Sequence, residues 1–526
     1  MSDEQLRRRL SPMDAFFLYI EREEQPMHVG ATTIFEGRIP FRKFVKNLES
    51  RLHLLPRYRQ RVVAAPLNLG HPTWEYDPDF DIRNHVFRVQ LEKPGTLEQL
   101  QTLSGRIFTG MLDRNKPLWE VYVVEGLEDD QTALIFKVHH CMVDGVAGIG
   151  LAFILFDMTP DTPKIRAPKF KPEPLPDSLE LLFDALWDNA IEGIQHWTNF
   201  QKQLAAYAAG LDAAEVALGA GKFAATMTNF LLPVPKLPFN QPLNPNRRVV
   251  WIKLPFTDAR AIRAATGGTV NDVILATLGS ATRSYLEECA PRQRVPRHMR
   301  ILVPVNVRQE HERASLGNRI SFMPVDVPLH LDDPVERLNA VHLATRDLKE
   351  SKIPESVGLM FEALQGMPAP LQAIALGTVT NPLMQAVLNR ITGIPPANMI
   401  CTNVPGPNIP LYVLGHRLLA LYPKVPVCLE MGINCAISSY DQNLFLTLCS
   451  DGYAGRDVRR YAEFVKQAFA DLRDAAEVKQ SNYIRITRGT RGEAESAPPP
   501  PIPSGNGHGN VSADRPSKIK AAASSN

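Results

Sequence analysis

The sequence predicts an α/β (α+β) protein made of two mixed halves. Three observations lead there: apolar, β-branched runs of strand length, apolar positions at helical spacing between them, and two proline clusters that divide the chain. The chain has 526 residues, 44% of them hydrophobic, which suffices for several cores and excludes a peptide, a coiled coil and a wholly disordered chain. In residues 1–157, His28–Phe35 and Thr132–Val138 read as buried strands, and Phe41–Leu54 and Leu97–Met111 as helices with one apolar face.

Residues 158–246 form the connection. Six prolines between Met158 and Asp177 forbid a continuous helix or central strand. From Ser178 to about Leu231, residues Leu182, Leu186, Ala190, Ile194 and Trp197 recur at threes and fours, which predicts a helical segment with Ser178 as its N-cap. A second cluster, Pro233 to Pro245, ends it. Arg248–Leu254 then opens a second α/β unit over residues 247–487. Its strands are expected at His298–Pro304, Ile320–Val327, Met399–Val404 and Leu444–Ser450, and its helices at Asn271–Glu288, Asp333–Ser351 and Arg456–Asp474. Residues 488–526 are rich in Pro, Ser, Gly and Ala and carry few large apolar residues, so they read as a disordered tail.

With 58 Lys+Arg against 56 Asp+Glu the net charge is +2, too even to make nucleic acid the expected partner. Six scattered cysteines form no CxxC pair, which suits a reducing, intracellular setting and gives no zinc-like spacing. The three arginines near the start precede no apolar run of signal-peptide length. The uncharged stretch Ala363–Asn389 is interrupted by Gly366, Pro368, Pro370, Gly377 and Pro382, so it reads as buried helices or a lipid-touching surface, not a membrane span.

One run carries chemistry: His139-His140-Cys141-Met142-Val143-Asp144-Gly145, the pattern HHxxxDG, where a strand ends and a helix over Val146–Phe156 is expected to begin. Two histidines at a strand end can be ordinary hydrogen-bonded loop residues. As metal ligands they fit poorly, because adjacent strand residues point to opposite faces. The same alternation suits a single general base, with one imidazole turned inward and the other away. Gly145 permits close backbone approach, and Asp144 can hold the loop by an ion pair or cap the helix. No GxSxG elbow accompanies the motif, so a covalent acyl-enzyme is not indicated.

Further runs surround it: SPMDAFFLYIE at Ser11–Glu21, PLWEVYVVEGL at Pro117–Leu127, TVNDVILA at Thr269–Ala276 and PVNVR at Pro304–Arg308. LGNRISFMPVDVP at Leu316–Pro328, TNVPGP at Thr402–Pro407 and GIN at Gly432–Asn434 follow. HHxxxDG resembles the histidine-dependent, CoA-type acyltransferase superfamily. With these runs the chain resembles its wax ester synthase/diacylglycerol acyltransferase branch, in unbroken order from Ser11 to about Leu472.

That resemblance implies two chloramphenicol acetyltransferase-like domains around a central tunnel that reaches His140. It makes His140 the general base, His139 a support for the loop, and Asp144, followed by Gly145, structural. An arginine of the first domain is implied as the partner of Asp144, with Arg59 preferred over Arg57 and Arg61. Asn271 and Asp272 are the family's ND pair, which also reads as capping or domain packing. Thr402, Asn403 and Gly406 would wall a tunnel mouth, or form an ordinary rigid turn. Trp119 reads as core.

The implied reaction moves a long-chain acyl group from acyl-CoA to diacylglycerol, giving triacylglycerol, with wax ester formation from a long-chain alcohol as a second activity. No cofactor and no metal are expected, acyl-CoA being a co-substrate, and the expected location is cytoplasmic at a peripheral membrane or lipid-droplet surface. A histidine with a pKa near ~6.5 suits the task at neutral pH. Two alternatives stand beside it: an acyltransferase of polyketide lipids or other secondary metabolites that uses a carrier-protein thioester, and a non-catalytic lipid-binding relative.

Overall fold

A computed structural model of the chain describes residues 9–143, 155–163, parts of 165–187, residues 198 and 201, 234–306, 320–350, 369–379, 397–453 and 458–479. The chain divides into Met1–Ser481 and Asn482–Asn526, and the second unit, with the expected tail, lies outside the described residues. So do the helix expected over Val146–Phe156, apart from its end, and most of the segment 178–231.

The first half contains α1 (Pro12–Ile20), β1 (His28–Phe35), α2 (Phe41–Arg51), β2 (Gln60–Val63), β3 (Thr73–Tyr76), β4 (Val86–Gln90), α3 (Leu97–Thr109), β5 (Trp119–Glu125) and β6 (Thr132–His139). The second half begins with β7 (Arg247–Pro255), α4 (Phe256–Thr266), α5 (Val270–Cys289), β8 (His298–Asn306), β9 (Ile320–Pro328), α6 (Pro334–Glu350) and α7 (Ala369–Val379). It continues with β10 (Met399–Pro405), β11 (Tyr412–Val413), β12 (His416–Lys424), β13 (Ile433–Tyr440), β14 (Asn443–Asp451) and α8 (Val458–Ala475).

Two six-stranded sheets organise these elements, in the orders β11-β12-β1-β6-β5-β4 and β7-β14-β13-β10-β8-β9. β11 and β12 come from the second half of the chain yet complete the first sheet, β12 pairing antiparallel with β1. Neighbouring positions on β14 serve different cores: Phe445 and Cys449 join the first, Leu444, Leu446 and Leu448 the second. The sheets meet where Trp251 of β7 stacks on Tyr422 of β12, with ring centroids 4.5 Å apart and planes within 8°.

Local chemistry explains the helix starts. Thr96 caps α3 in a box with Gln99, each side chain bonding the other's backbone N–H. Thr269 and Asp272 do the same for α5, so the helix starts at Val270 with Thr269 as its N-cap, and Asp272 of the ND pair supplies the other half of the capping box. Near residue 178 the capping oxygen is also displaced from expectation: Asp177 Oδ1 accepts the N–H groups of Leu179 and Glu180, because a carboxylate one residue earlier reaches both.

Candidate active site

β6 carries the paired histidines, and neighbouring backbone pins them. His139 N–H donates to Leu118 O at 2.9 Å and His140 N–H to Met27 O at 2.8 Å, so the strand end is clamped between the β5 side and the β1 side. A 3-10 turn, His140–Met142, then diverts the chain and separates the two imidazoles.

His139 is fully buried. Its Nδ1 accepts the Cys141 N–H at 3.1 Å, which leaves the ring proton on Nε2, and Nε2 stands 3.2 Å from Glu21 Oε1 at an oblique angle. Glu21, at the end of α1, also accepts the Met27 N–H at 3.1 Å, takes Arg114 on its other oxygen at 3.0 Å, and lies 3.4 Å from His28 Nε2. Burial alone would raise the pKa of this carboxyl. The contacts to His139, His28 and Arg114 outweigh it and hold the value at about 2, so Glu21 is an anion at any working pH. Burial pushes His28 well below its ordinary range, with the Lys137 charge adding to the effect, so its ring is neutral.

His140 faces differently. Its ring lies flat on Phe17 of α1, with centroids 3.8 Å apart and planes within 13°, and it keeps part of its surface accessible. Its Nδ1 is buried without a hydrogen-bond partner among the described residues. Burial lowers its pKa to about 4, with nearby His139 adding to the shift and the His140 backbone partly opposing it. That replaces the ordinary value of ~6.5 expected from sequence. At neutral pH the imidazole carries a free lone pair, as a proton acceptor must. When the ring gains charge, the face of Phe17 can stabilise it by ~0.5–2 kcal/mol.

Cys141 is buried, and its thiol is raised well above the usual range, first by desolvation and then by Asp14 and Glu21. It stays protonated and is no nucleophile.

The remaining sequence candidates spread over the molecule. Asp144 and Gly145 lie outside the described residues, and so does any pairing of Asp144 with Arg59. Arg59 sits half-buried on the turn Pro56–Arg59, whose Arg57 packs 4.1 Å from the Trp74 ring centre. Asp272 is buried in the second half, where it accepts Thr345 Oγ1 at 2.7 Å and approaches His342 Nδ1 at 3.1 Å. It ties α5 to α6. Asn271 beside it has a buried Oδ1 with no hydrogen-bond partner among the described residues.

Thr402 is half-buried and Asn403 exposed on β10. Gly406 follows at a point where a Cβ would come within 2.3 Å of Ser439 O, so the close passage of β13 requires glycine. No hydrogen bond or ring contact among the described residues joins these three to His140. Trp119 is core, donating Nε1–H to Tyr58 O at 2.8 Å. No group of three or more His, Cys, Asp or Glu side chains among the described residues is placed to hold a metal ion.

Sequence reasoning missed Phe17, Glu21 and His28. The available signal was local: Phe17 and Glu21 stand one helical turn apart, so both face the same way from α1.

Two six-stranded sheets of this topology define a two-domain α/β protein of the chloramphenicol acetyltransferase-like fold. Residues 10–274 match the wax ester synthase/diacylglycerol acyltransferase catalytic domain, and residues 316–473 match the WS/DGAT C-terminal domain. The chain belongs to that family.

It is 30% identical over 468 residues to "Probable diacyglycerol O-acyltransferase tgs1" of Mycobacterium tuberculosis, covering 88% of this chain and 95% of that protein. Among solved structures it is similar to the wax ester synthase/diacylglycerol acyltransferase from Marinobacter aquaeolei VT8, with a TM-score of 0.60 and 24% identity over 89% of this chain and 100% of that one. The first condensation domain of the CDA synthetase shares the fold at a TM-score of 0.52 and 14% identity, over 89% of this chain and 97% of that one.

Proposed function

We propose that the protein transfers a long-chain fatty acyl group from acyl-CoA to the free hydroxyl of a diacylglycerol, giving triacylglycerol, and that it esterifies long-chain alcohols by the same route. The observation that carries this reading is the neutral, partly accessible ring of His140 held flat on Phe17. His140 takes the hydroxyl proton as the alcohol oxygen bonds to the thioester carbon. The tetrahedral intermediate collapses, the C–S bond breaks, and the imidazolium returns its proton to the leaving thiolate. General base catalysis supplies ~10²–10⁴-fold, and alignment of the substrates with stabilisation of the oxyanion supplies the rest. His139, whose Nδ1 accepts the Cys141 N–H and whose Nε2 lies beside the Glu21 carboxylate, holds the turn that presents His140. The name of the mycobacterial relative supports a diacylglycerol acceptor.

Diacylglycerol resides in lipid, so the protein must work at a lipid surface. No helix among the described residues is long and apolar enough to cross a membrane. Exposed apolar side chains offer peripheral contact instead: Leu179, Phe183 and Trp187 recur every four residues along one helical face, and Leu371 and Ile374 stand out from α7. Flotation with liposomes checks this. Wild type should rise with the lipid, and a Leu179→Ser/Phe183→Ser/Trp187→Ser variant should remain in the lower fractions.

The reaction itself is tested by incubating purified protein with palmitoyl-CoA and either dioleoylglycerol or hexadecanol, then identifying the products by mass spectrometry. Triacylglycerol formation with release of free CoA supports the reading. Turnover only when the acyl group is presented on a carrier protein refutes it.

A further inference from the structure

Residues 110–118 connect α3 to β5, and Asp113, Arg114 and Lys116 within them stand half in solvent. Surface connections of this kind are usually loosely held. This one is pinned at both ends to the strand that bears the histidines. Gly110 O accepts Lys137 Nζ at 2.6 Å, and Leu118 O accepts the His139 N–H at 2.9 Å. Between those ends Asp113 closes a turn: its O accepts the Lys116 N–H at 3.1 Å and its Oδ1 the Asn115 N–H at 2.9 Å. Arg114 is a central residue of that turn.

The Arg114 guanidinium reaches across to α1. One terminal nitrogen donates to Leu18 O at 3.0 Å and to Glu21 Oε2 at 3.0 Å. Leu18 lies in the last turn of α1, where carbonyls lack the N–H partners of the helix interior and the helix dipole favours a cation. Phe17, directly before it, carries the ring of His140. Glu21 turns its other oxygen to His139. One side chain therefore braces the supports of both imidazoles.

Among the described residues Arg114 is the one arginine or lysine hydrogen-bonded to Glu21. Burial opposes a charge on that carboxyl, so a cation on it matters more than it would in water.

We infer that Arg114 is a positioning residue of the acyl transfer, one that fixes the end of α1 and the Glu21 carboxylate against the two histidines and so aims His140 at the alcohol. The inference rests on His140 being the base.

Arg114→Met removes both bonds and keeps an apolar stem, and Arg114→Lys supplies an ammonium with donors enough for the same two acceptors. Lys116→Gln alters a neighbouring charge that pairs with Asp113. Each is assayed with palmitoyl-CoA and dioleoylglycerol from about pH 4 to pH 8, once circular dichroism shows it folded. Arg114→Gln takes the place of a methionine variant that folds poorly.

The expected result for Arg114→Met is a fall in kcat of roughly 10–100-fold with KM for palmitoyl-CoA unchanged, because a misaimed base costs turnover and not ground-state binding. Its acid limb should move up from near pH 4, since Glu21 without this partner takes a proton more readily. Arg114→Lys should recover most of the rate, and Lys116→Gln should match wild type.

Wild-type kcat in Arg114→Met overturns the inference. So does an equal loss in the methionine and lysine variants with the acid limb unmoved, or an equal loss in Lys116→Gln. His140→Ala separates the two claims: if it turns over normally, the reading of the base fails, whereas a fully active Arg114→Met beside an inactive His140→Ala sinks the role of Arg114 alone.

Discussion

At the scale of single residues, the account turns on how burial sets two charges of opposite fate. Glu21 stays ionised because three partners face it, whereas His140 stays neutral because its ring is enclosed and stacked. With a folded pKa near 4, His140 remains a free base down to about pH 5. The kcat/KM profile should therefore run flat from pH 8 to about pH 5 and fall as the ring protonates near pH 4, while an ordinary histidine would lose activity below ~6.5. Steady-state kinetics across that range checks it. Glu21→Gln removes the anion that holds His139, so kcat should drop at least roughly tenfold and thermal stability by ~1–3 kcal/mol, read by stopped assays and calorimetry. The HHxxxDG pattern was legible because it is local, and so was the divergence of its two rings, although the turn His140–Met142 and not strand alternation separates them. The roles of Phe17, Glu21 and His28 were not, since His28 meets His139 only through the pairing of β1 with β6, and Phe17 and Glu21 meet the histidines only through the packing of α1 against the turn.

At the scale of elements, one row across the first sheet sets buried charges side by side. Glu120, Lys137, Gly30 and Lys424 are successive partners on β5, β6, β1 and β12. Gly30 must be glycine there, because a Cβ would come within 1.8 Å of Phe136 O. Lys137 reaches Gly110 O at 2.6 Å and Glu120 at 3.4 Å, but among the described residues Lys424 has only His28 O at 3.4 Å and the Phe108 ring at 4.5 Å. Desolvation lowers the Lys424 pKa to about 7. Between that value and the unfolded value near ~10.5 the unfolded chain binds a proton that the folded one does not, so this residue makes stability rise with pH across the window.

The shift is equivalent to roughly 4–5 kcal/mol at most, against ~0.5–2 kcal/mol returned by the cation–ring contact. Lys424→Met should therefore raise Tm at pH 7, with the gain shrinking toward pH 10, which calorimetry at several pH values would show. Strand and helix periodicity located many of these elements within a few residues, from His28–Phe35 to Val458–Ala475. Periodicity carries no record of partner choice, so the pairing of β12 with β1 was invisible to it.

At the scale of the whole molecule, β11 and β12 bind the two halves into one folding unit, because the first sheet is incomplete without chain from the second half. Residues 1–246 produced alone would leave β1 as an unpaired edge and should fail to give a cooperative unfolding transition, as circular dichroism melting would reveal. The overall architecture was legible from alternating strand and helix text and from the proline clusters. The exchange of strands between halves was not, because it is a contact between segments far apart in sequence. The claim on which the account depends is that a single imidazole takes the alcohol proton. Its most direct measurement is the rate of triacylglycerol formation from palmitoyl-CoA and dioleoylglycerol by wild type and by a folded His140→Ala variant. The account predicts a loss of ~10²–10⁴-fold in the variant. Equal rates in the two proteins would contradict it.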